Sequence, residues 1–189
     1  MVAQLLRRLR RLPERLLHPR RRRAALASLI ARRPPARVLV VCNGNIFRSP
    51  FAAAVLRRVI GARGVQVESA GFLGPGRPAP RNAQTAAAGH GIDLSPHPSQ
   101  PITAELVRWA ELVIVMDARQ RQVICDRFGR GPRDIVILGD LDRGPVSSRG
   151  IEDPVEQSVE VCQRVYGRIE RCLAELVNVL WGTIAAGRK

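Results

Sequence analysis

Val38-Leu39-Val40-Val41-Cys42-Asn43-Gly44-Asn45-Ile46-Phe47-Arg48-Ser49-Pro50 is the stretch whose reading decides the fold. Its first four residues form a short apolar, mostly β-branched run, the signature of a buried strand. A Gly/Asn loop follows, and Ser49-Pro50 opens a helical stretch that extends to about Arg63. A loop that wraps from a strand into a helix N-terminus gathers backbone N–H groups around one point. That makes a nest for a tetrahedral oxyanion, and the helix dipole adds positive potential there. Cys42 lies at the centre of this field, which favours a thiolate nucleophile. Arg48 carries a planar fork able to hold two phosphate oxygens while negative charge spreads over the transition state. Asn43, Gly44, Asn45, Ile46 and Phe47, together with Arg48, are therefore the expected phosphate-binding set. Gly44 permits the twist of the chain, and the Ser49 hydroxyl is placed to donate to the sulfur.

The spacing Cys-x5-Arg is weak evidence in an arginine-rich chain, and Cys162 is likewise followed six residues later by Arg168. That second pair falls within an amphipathic helical pattern with no glycine-bearing loop, so Cys162 reads as core packing. Context rather than spacing singles out Cys42.

Outward from this unit, Val65 to Glu68 reads as a second strand, ending in Ser69-Ala70-Gly71 and a Gly/Pro-rich loop over residues 71 to 80. A helix is expected at about Asn82 to Gly89, strands at Leu112 to Met116 and Ile135 to Leu138, and a helix between them from Asp117 to Phe128. Residues 139 to 154 read as a long loop. From Val155 through Leu180 apolar residues keep i, i+3/i+4 spacing, predicting a long C-terminal helix from Val155 onward. Apolar strands alternating with helices predict an α/β fold: a doubly wound four-stranded parallel sheet with helices on both faces and the phosphate-binding loop after the first strand.

The formal charge of +15 is concentrated at one end: residues 1 to 37 hold twelve arginines against the single acid Glu14. Residues 1–36 are read as a basic extension, flexible or partly helical. Leu5, Leu9, Leu12 and Leu16 trace an amphipathic stripe, but Pro13 is expected to keep any helix short. No catalytic step is expected to depend on this segment. It reads as a solvated tail, with weak contact with an anionic membrane or polyanion as the alternative; lacking aromatic stacking platforms, it would bind by charge, without specific nucleic-acid recognition. The apolar stretch Ala24 to Ala31 is too short for a secretory core and ends in Arg32-Arg33-Pro34-Pro35, which points to a cytoplasmic protein. Four widely spaced cysteines form neither a disulfide framework nor zinc-ligand pairs.

Val41 to Pro50 resembles the signature of the low-molecular-weight protein tyrosine phosphatases. Glu68-Ser69-Ala70-Gly71, His90-Gly91-Ile92 and Asp153-Pro154 match further landmarks of that family in order, over about residues 37 to 180. The resemblance implies a phosphatase domain over 37–182 and a short tail at 183–189. It implies Cys42 as nucleophile, Arg48 as phosphate clamp and Asp153 as general acid, with Asn45, Ser49, Ser69 and His97 bracing the phosphate loop. No cofactor and no metal is expected. A carboxyl at Asp153 also suits the chemistry, since a departing aryl oxygen gains from a proton; the alternative is that Asp153 caps a helix beginning at Pro154. His90 reads as structural.

The chain departs from the family pattern in places. Phe47 stands where a second cysteine is frequent, so a protective disulfide with Cys42 is ruled out. Val155 and Glu156 replace cleft-wall aromatics, leaving Phe47 and Phe72 as candidates for stacking on a phosphotyrosine ring. Pro98-Ser99-Gln100 lacks a basic residue common there. Within the same fold, arsenate reduction is disfavoured by the absence of cysteine from residues 73 to 111, and phosphoarginine hydrolysis by Ile46 where threonine is typical. A non-catalytic phosphoprotein- or polyanion-binding module is the reading from a different class. A phosphotyrosyl protein is the expected substrate, with a bacterial tyrosine kinase as a candidate by analogy.

Overall fold

Four parallel strands lie in the spatial order β2-β1-β3-β4 in the computed structural model, which describes residues 2–144 and 146–182. They are β1 (Arg37–Cys42), β2 (Gln66–Gly71), β3 (Leu112–Val115) and β4 (Ile135–Ile137). The helices are α1 (Val2–Ile30), α2 (Arg48–Ile60), α3 (Arg81–Ala88), α4 (Ala104–Trp109), α5 (Ala118–Phe128) and α6 (Val159–Trp181). The expected doubly wound sheet is therefore present. β1 pairs with β2 on one side and β3 on the other, so the connection order reverses at its carboxyl end, where such sheets place their ligands.

Alternation along β1 divides the core. Val38, Val40 and Cys42 join the cluster built with α2, α3 and α6, while Leu39 and Val41 join residues of α4 and α5 on the opposite face. Cys42, at the last position of β1, therefore faces α2, the helix its own loop initiates.

Three elements differ from the sequence reading. α1 continues as one helix of 29 residues through both Pro13 and Pro19. Each interior proline removes a helical hydrogen bond and costs roughly 3 kcal/mol. Tertiary contacts offset that cost: Leu29 is fully buried in the core and His18 is buried against Asp142. α4, capped by Thr103, lies in a stretch to which the sequence reading assigns no element, because six residues carry too little periodicity to register. α6 starts at Val159 behind Ser158 rather than at Val155, since Val155 is 40% exposed and Glu156 has a left-handed backbone with φ of 63°. The tail at 183–189 lies outside the described residues. Among the described residues no helix is long and apolar enough to cross a membrane.

Docking of α1 predicts unequal effects along it. Leu29→Ala lowers the unfolding free energy in urea by about 2–5 kcal/mol. Leu16→Ala, at a position 72% exposed, changes it by no more than about 0.5 kcal/mol.

Candidate active site

The loop after β1 is held in shape by Asn45. Its φ of 51° puts it in the left-handed region, and it is completely buried. Nδ2 donates to Ser49 Oγ and to Ser69 Oγ, both at 2.9 Å. Oδ1 accepts the Gln100 N–H at 2.8 Å, and the main-chain carbonyl accepts from His97 Nε2 at 2.9 Å. Ser49 Oγ in turn lies 3.1 Å from Cys42 Sγ. All four residues expected to brace the loop thus meet in one hydrogen-bonded cluster behind Cys42. Gly71 completes the enclosure: a Cβ there would stand 2.7 Å from both Asn43 O and Asn45 N.

The loop amides are left without backbone acceptors. Among the described residues, none of the N–H groups of residues 43 to 48 donates in a turn or loop hydrogen bond to backbone. The first amides of α2 have no helical acceptor either. An oxyanion centred above Cys42 would meet this set together with Arg48.

Arg48 lies at the first position of α2, with its side chain only 3% exposed. Nη1 donates to the Ile151 carbonyl at 3.0 Å, and Nη2 donates to Asp153 Oδ2. Nε is buried and has no partner among the described residues, so one N–H of the fork remains for an incoming acceptor. Asp153, with its side chain 36% exposed, also accepts from Asn43 Nδ2 at 3.4 Å. The structure thus brings Cys42, Arg48 and Asp153 to one mouth, although Asp153 comes from a loop more than a hundred residues along the chain. Asp153 caps no helix, because α6 begins five residues beyond Pro154.

The stacking assignment for Phe47 is corrected. Its ring is buried, 5.4 Å from Tyr166, which itself stacks on Phe51 at 3.8 Å, so the side chain packs into the core and offers no face for stacking on a substrate ring. Phe72 is half-buried against the α4–α5 core, and its neighbour Leu73 is 51% exposed while its N–H donates to Asn43 O. His90 is structural as read: Nδ1 bonds Glu170 Oε2 at 2.8 Å and the ring packs edge-on against Phe51.

Three participants were missed. Gln120, near the start of α5, accepts from the Met116 N–H and donates to Asn43 Oδ1, linking α5 through Asn43 to Asp153. Gln100 holds both Asn45 and the Ser69 carbonyl. Arg168, seen only as half of an accidental spacing, donates to Gly150 O and Ser148 O, each at 2.8 Å, just ahead of Asp153. Glutamines and arginines carry no sequence signal that separates such duties from solvated surface.

All four cysteines are free. Burial pushes the Cys172 thiol up to about 12 and raises that of Cys162, so neither is a reactive partner for Cys42. Among the described residues no cluster of three or more His, Cys, Asp and Glu could hold a metal.

Burial holds the His97 ring below its ordinary value of 6.5, outweighing the hydrogen bond to Asn45, which acts in the opposite sense. The unfolded chain therefore takes up the proton first on acidification, and stability falls as pH drops below 6.5. Urea midpoints measured between about pH 5 and 7.5 should show this slope in the wild type and a shallower one in His97→Gln. Gly71→Ala should destabilise by about 1–3 kcal/mol in the same assay, because its Cβ must displace the loop backbone.

Comparison with known proteins places this geometry. Residues 37–184 match the family model described as low molecular weight phosphotyrosine protein phosphatase. The probable low molecular weight protein-tyrosine-phosphatase EpsP of Ralstonia nicotianae is 39% identical over 130 residues, covering 67% of this chain and 88% of that one. The protein-arginine-phosphatase of Bacillus subtilis is 32% identical over 146 residues, covering 76% and 95%. Among solved structures, the tyrosine phosphatase AmsI of Erwinia amylovora superposes with a TM-score of 0.70 at 28% identity, over 78% of this chain and 94% of its own. A match through the loop, the sheet and the Asp153 segment spans well over half the chain, and the chain belongs to the low molecular weight phosphotyrosine protein phosphatase family.

Proposed function

We propose that the chain hydrolyses phosphotyrosine in proteins, and aryl phosphate monoesters in general, through a phosphocysteine on Cys42. One observation carries the reading: a buried Arg48 guanidinium, with an unpartnered Nε–H, closes the loop that surrounds Cys42 and holds Asp153 at its mouth. The substrate phosphate takes Asp153's place on Arg48, and the loop amides bind its remaining oxygens. Cys42 sulfur then attacks phosphorus in line, the P–O bond to the phenol breaks, and Asp153 gives its proton to the leaving oxygen. In the second half, Asp153 takes a proton from water as the water oxygen attacks phosphorus. The S–P bond breaks, releasing inorganic phosphate and restoring the Cys42 thiolate. Ser49, 3.1 Å from the sulfur, donates to the thiolate that leaves.

The aryl preference rests on the mouth. Leu73 and Val155 are exposed apolar residues beside the loop and the acid, and Phe72 lies next to Leu73. The Bacillus relative makes phosphoarginine the second reading; Ile46, buried in the loop beside Gly44, is the departure that weighs against it. Arsenate reduction needs further thiols near Cys42, and Cys162 and Cys172 are buried in α6. Phosphotyrosyl proteins, a tyrosine kinase of the same cell among them, are the substrates we assign, and the cytoplasm the compartment. The arginines of the first helix give it charge-based affinity for anionic surfaces.

Hydrolysis of p-nitrophenyl phosphate and a phosphotyrosine peptide, beside a phosphoarginine substrate, tests the assignment. Wild type should turn over the aryl esters, Cys42→Ser should abolish turnover, and Asp153→Asn should reduce it by about 10²–10⁴-fold. Preferential turnover of phosphoarginine would transfer the protein to the second reading, and a folded but inert wild type would leave a binding module.

A further inference from the structure

We propose that α1, which lies outside the family match, is a strut that positions Asp153 for proton transfer, acting through Glu14 and His18; the inference rests on the phosphatase reading above. Glu14 and His18 are four residues apart and so share one face of α1. Glu14 Oε2 accepts the main-chain N–H of Arg149 at 3.1 Å and is itself tied to Arg21 Nη1 at 2.7 Å. His18 Nε2 donates to the Asp142 carbonyl at 2.9 Å, and the ring is buried. Both contacts land on the segment that leads into the acid.

From there the grip runs to Asp153 through residues already fixed. The Arg149 fork holds buried Asp140 at 2.8 and 2.7 Å. Arg168 Nε donates to Asp142 Oδ2 at 3.0 Å while the same guanidinium holds Ser148 O and Gly150 O. Gly139 lets the two strands of chain close on each other, since a Cβ there would overlap the Arg149 carbonyl at 2.1 Å. Two residues after Arg149, the Ile151 N–H donates to Met116 O at 2.8 Å and its carbonyl accepts Arg48 Nη1. Two residues later comes Asp153. Residues 146 to 153 would otherwise be a surface loop with freedom to lose, and proton transfer demands a carboxyl fixed to within a fraction of an ångström. The sheet holds the loop from one side at Ile151, and α1 with α6 holds it from the other.

The test separates positioning of the acid from general stabilisation by varying the leaving group. kcat/KM reports the step in which the aryl oxygen departs, and dependence on the general acid grows as that oxygen becomes more basic. In full-length protein, Glu14→Ala and His18→Ala should each lower kcat/KM for phenyl phosphate about tenfold but for 2,4-dinitrophenyl phosphate less than about twofold. Glu14→Gln, which keeps an acceptor, and His18→Gln, which keeps a donor, should restore phenyl phosphate turnover. In an Asp153→Asn background, Glu14→Ala should cause no further loss. An equal loss with both esters, or none with either, overturns the strut. A folded wild type inert toward both esters instead overturns the phosphatase reading, and the strut falls with it.

Discussion

The left-handed turn at Asn45 is the constraint on which the site depends. A non-glycine residue in that region stores roughly 1–3 kcal/mol of strain, which persists only where surrounding structure over-determines it. Here Asn45 is fully buried, and both of its side-chain protons, its side-chain oxygen and its main-chain carbonyl are engaged by residues of α2, β2 and the 97–100 segment. The reversal turns the chain between Cys42 and α2 and leaves the loop amides without backbone acceptors among the described residues. The same segments that fix Asn45 are themselves fixed by pairing of β1 with β2, where Cys42 registers against Gly71. Sheet register, loop conformation and the environment of the sulfur are therefore one cooperative arrangement.

Charge plays a second structural part. Asp140, Asp142 and Glu175 are buried acids, and each is met by arginine: Arg149 on the first, Arg168 and Arg171 on the second, Arg22 and Arg143 on the third. A buried carboxylate left without its partner costs about 3–5 kcal/mol, so these pairs constrain the paths of the chain that carry them. Arg22 belongs to α1, and its pairing with α6 binds the N-terminal helix to the domain. What composition alone presents as a solvated basic extension is, from Glu14 onward, partly an interior ion-pair surface.

The strand–loop–helix unit and the alternation of strands with helices were legible because they depend on local signals: a β-branched run, a glycine-bearing loop, a helix opening. Cys42 and Arg48 were legible for the same reason, and the bracing residues only through a family pattern dense enough to carry across a single sequence. The inward face of Phe47 was not, because an aromatic residue in a binding loop looks identical whether it meets substrate or Tyr166. The continuation of α1 through two prolines was hidden because its compensation, the burial of Leu29 and the His18 bond, comes from elements more than a hundred residues away. Gln100, Gln120 and Arg168 escaped because polar residues acquire such duties only when a fold brings an acceptor to them.

By itself the sequence determined the fold class and the strand–loop–helix unit that carries Cys42 and Arg48, since each follows from the order of neighbouring residues and the backbone conformations they permit. Only the tertiary structure decided how Asp153 comes to meet Arg48, that the Phe47 ring packs inward, and that a basic N-terminal helix contacts the segment leading to Asp153. Those depend on the close approach of residues far apart in the chain, and sequence separation carries no information about distance until the sheet has closed.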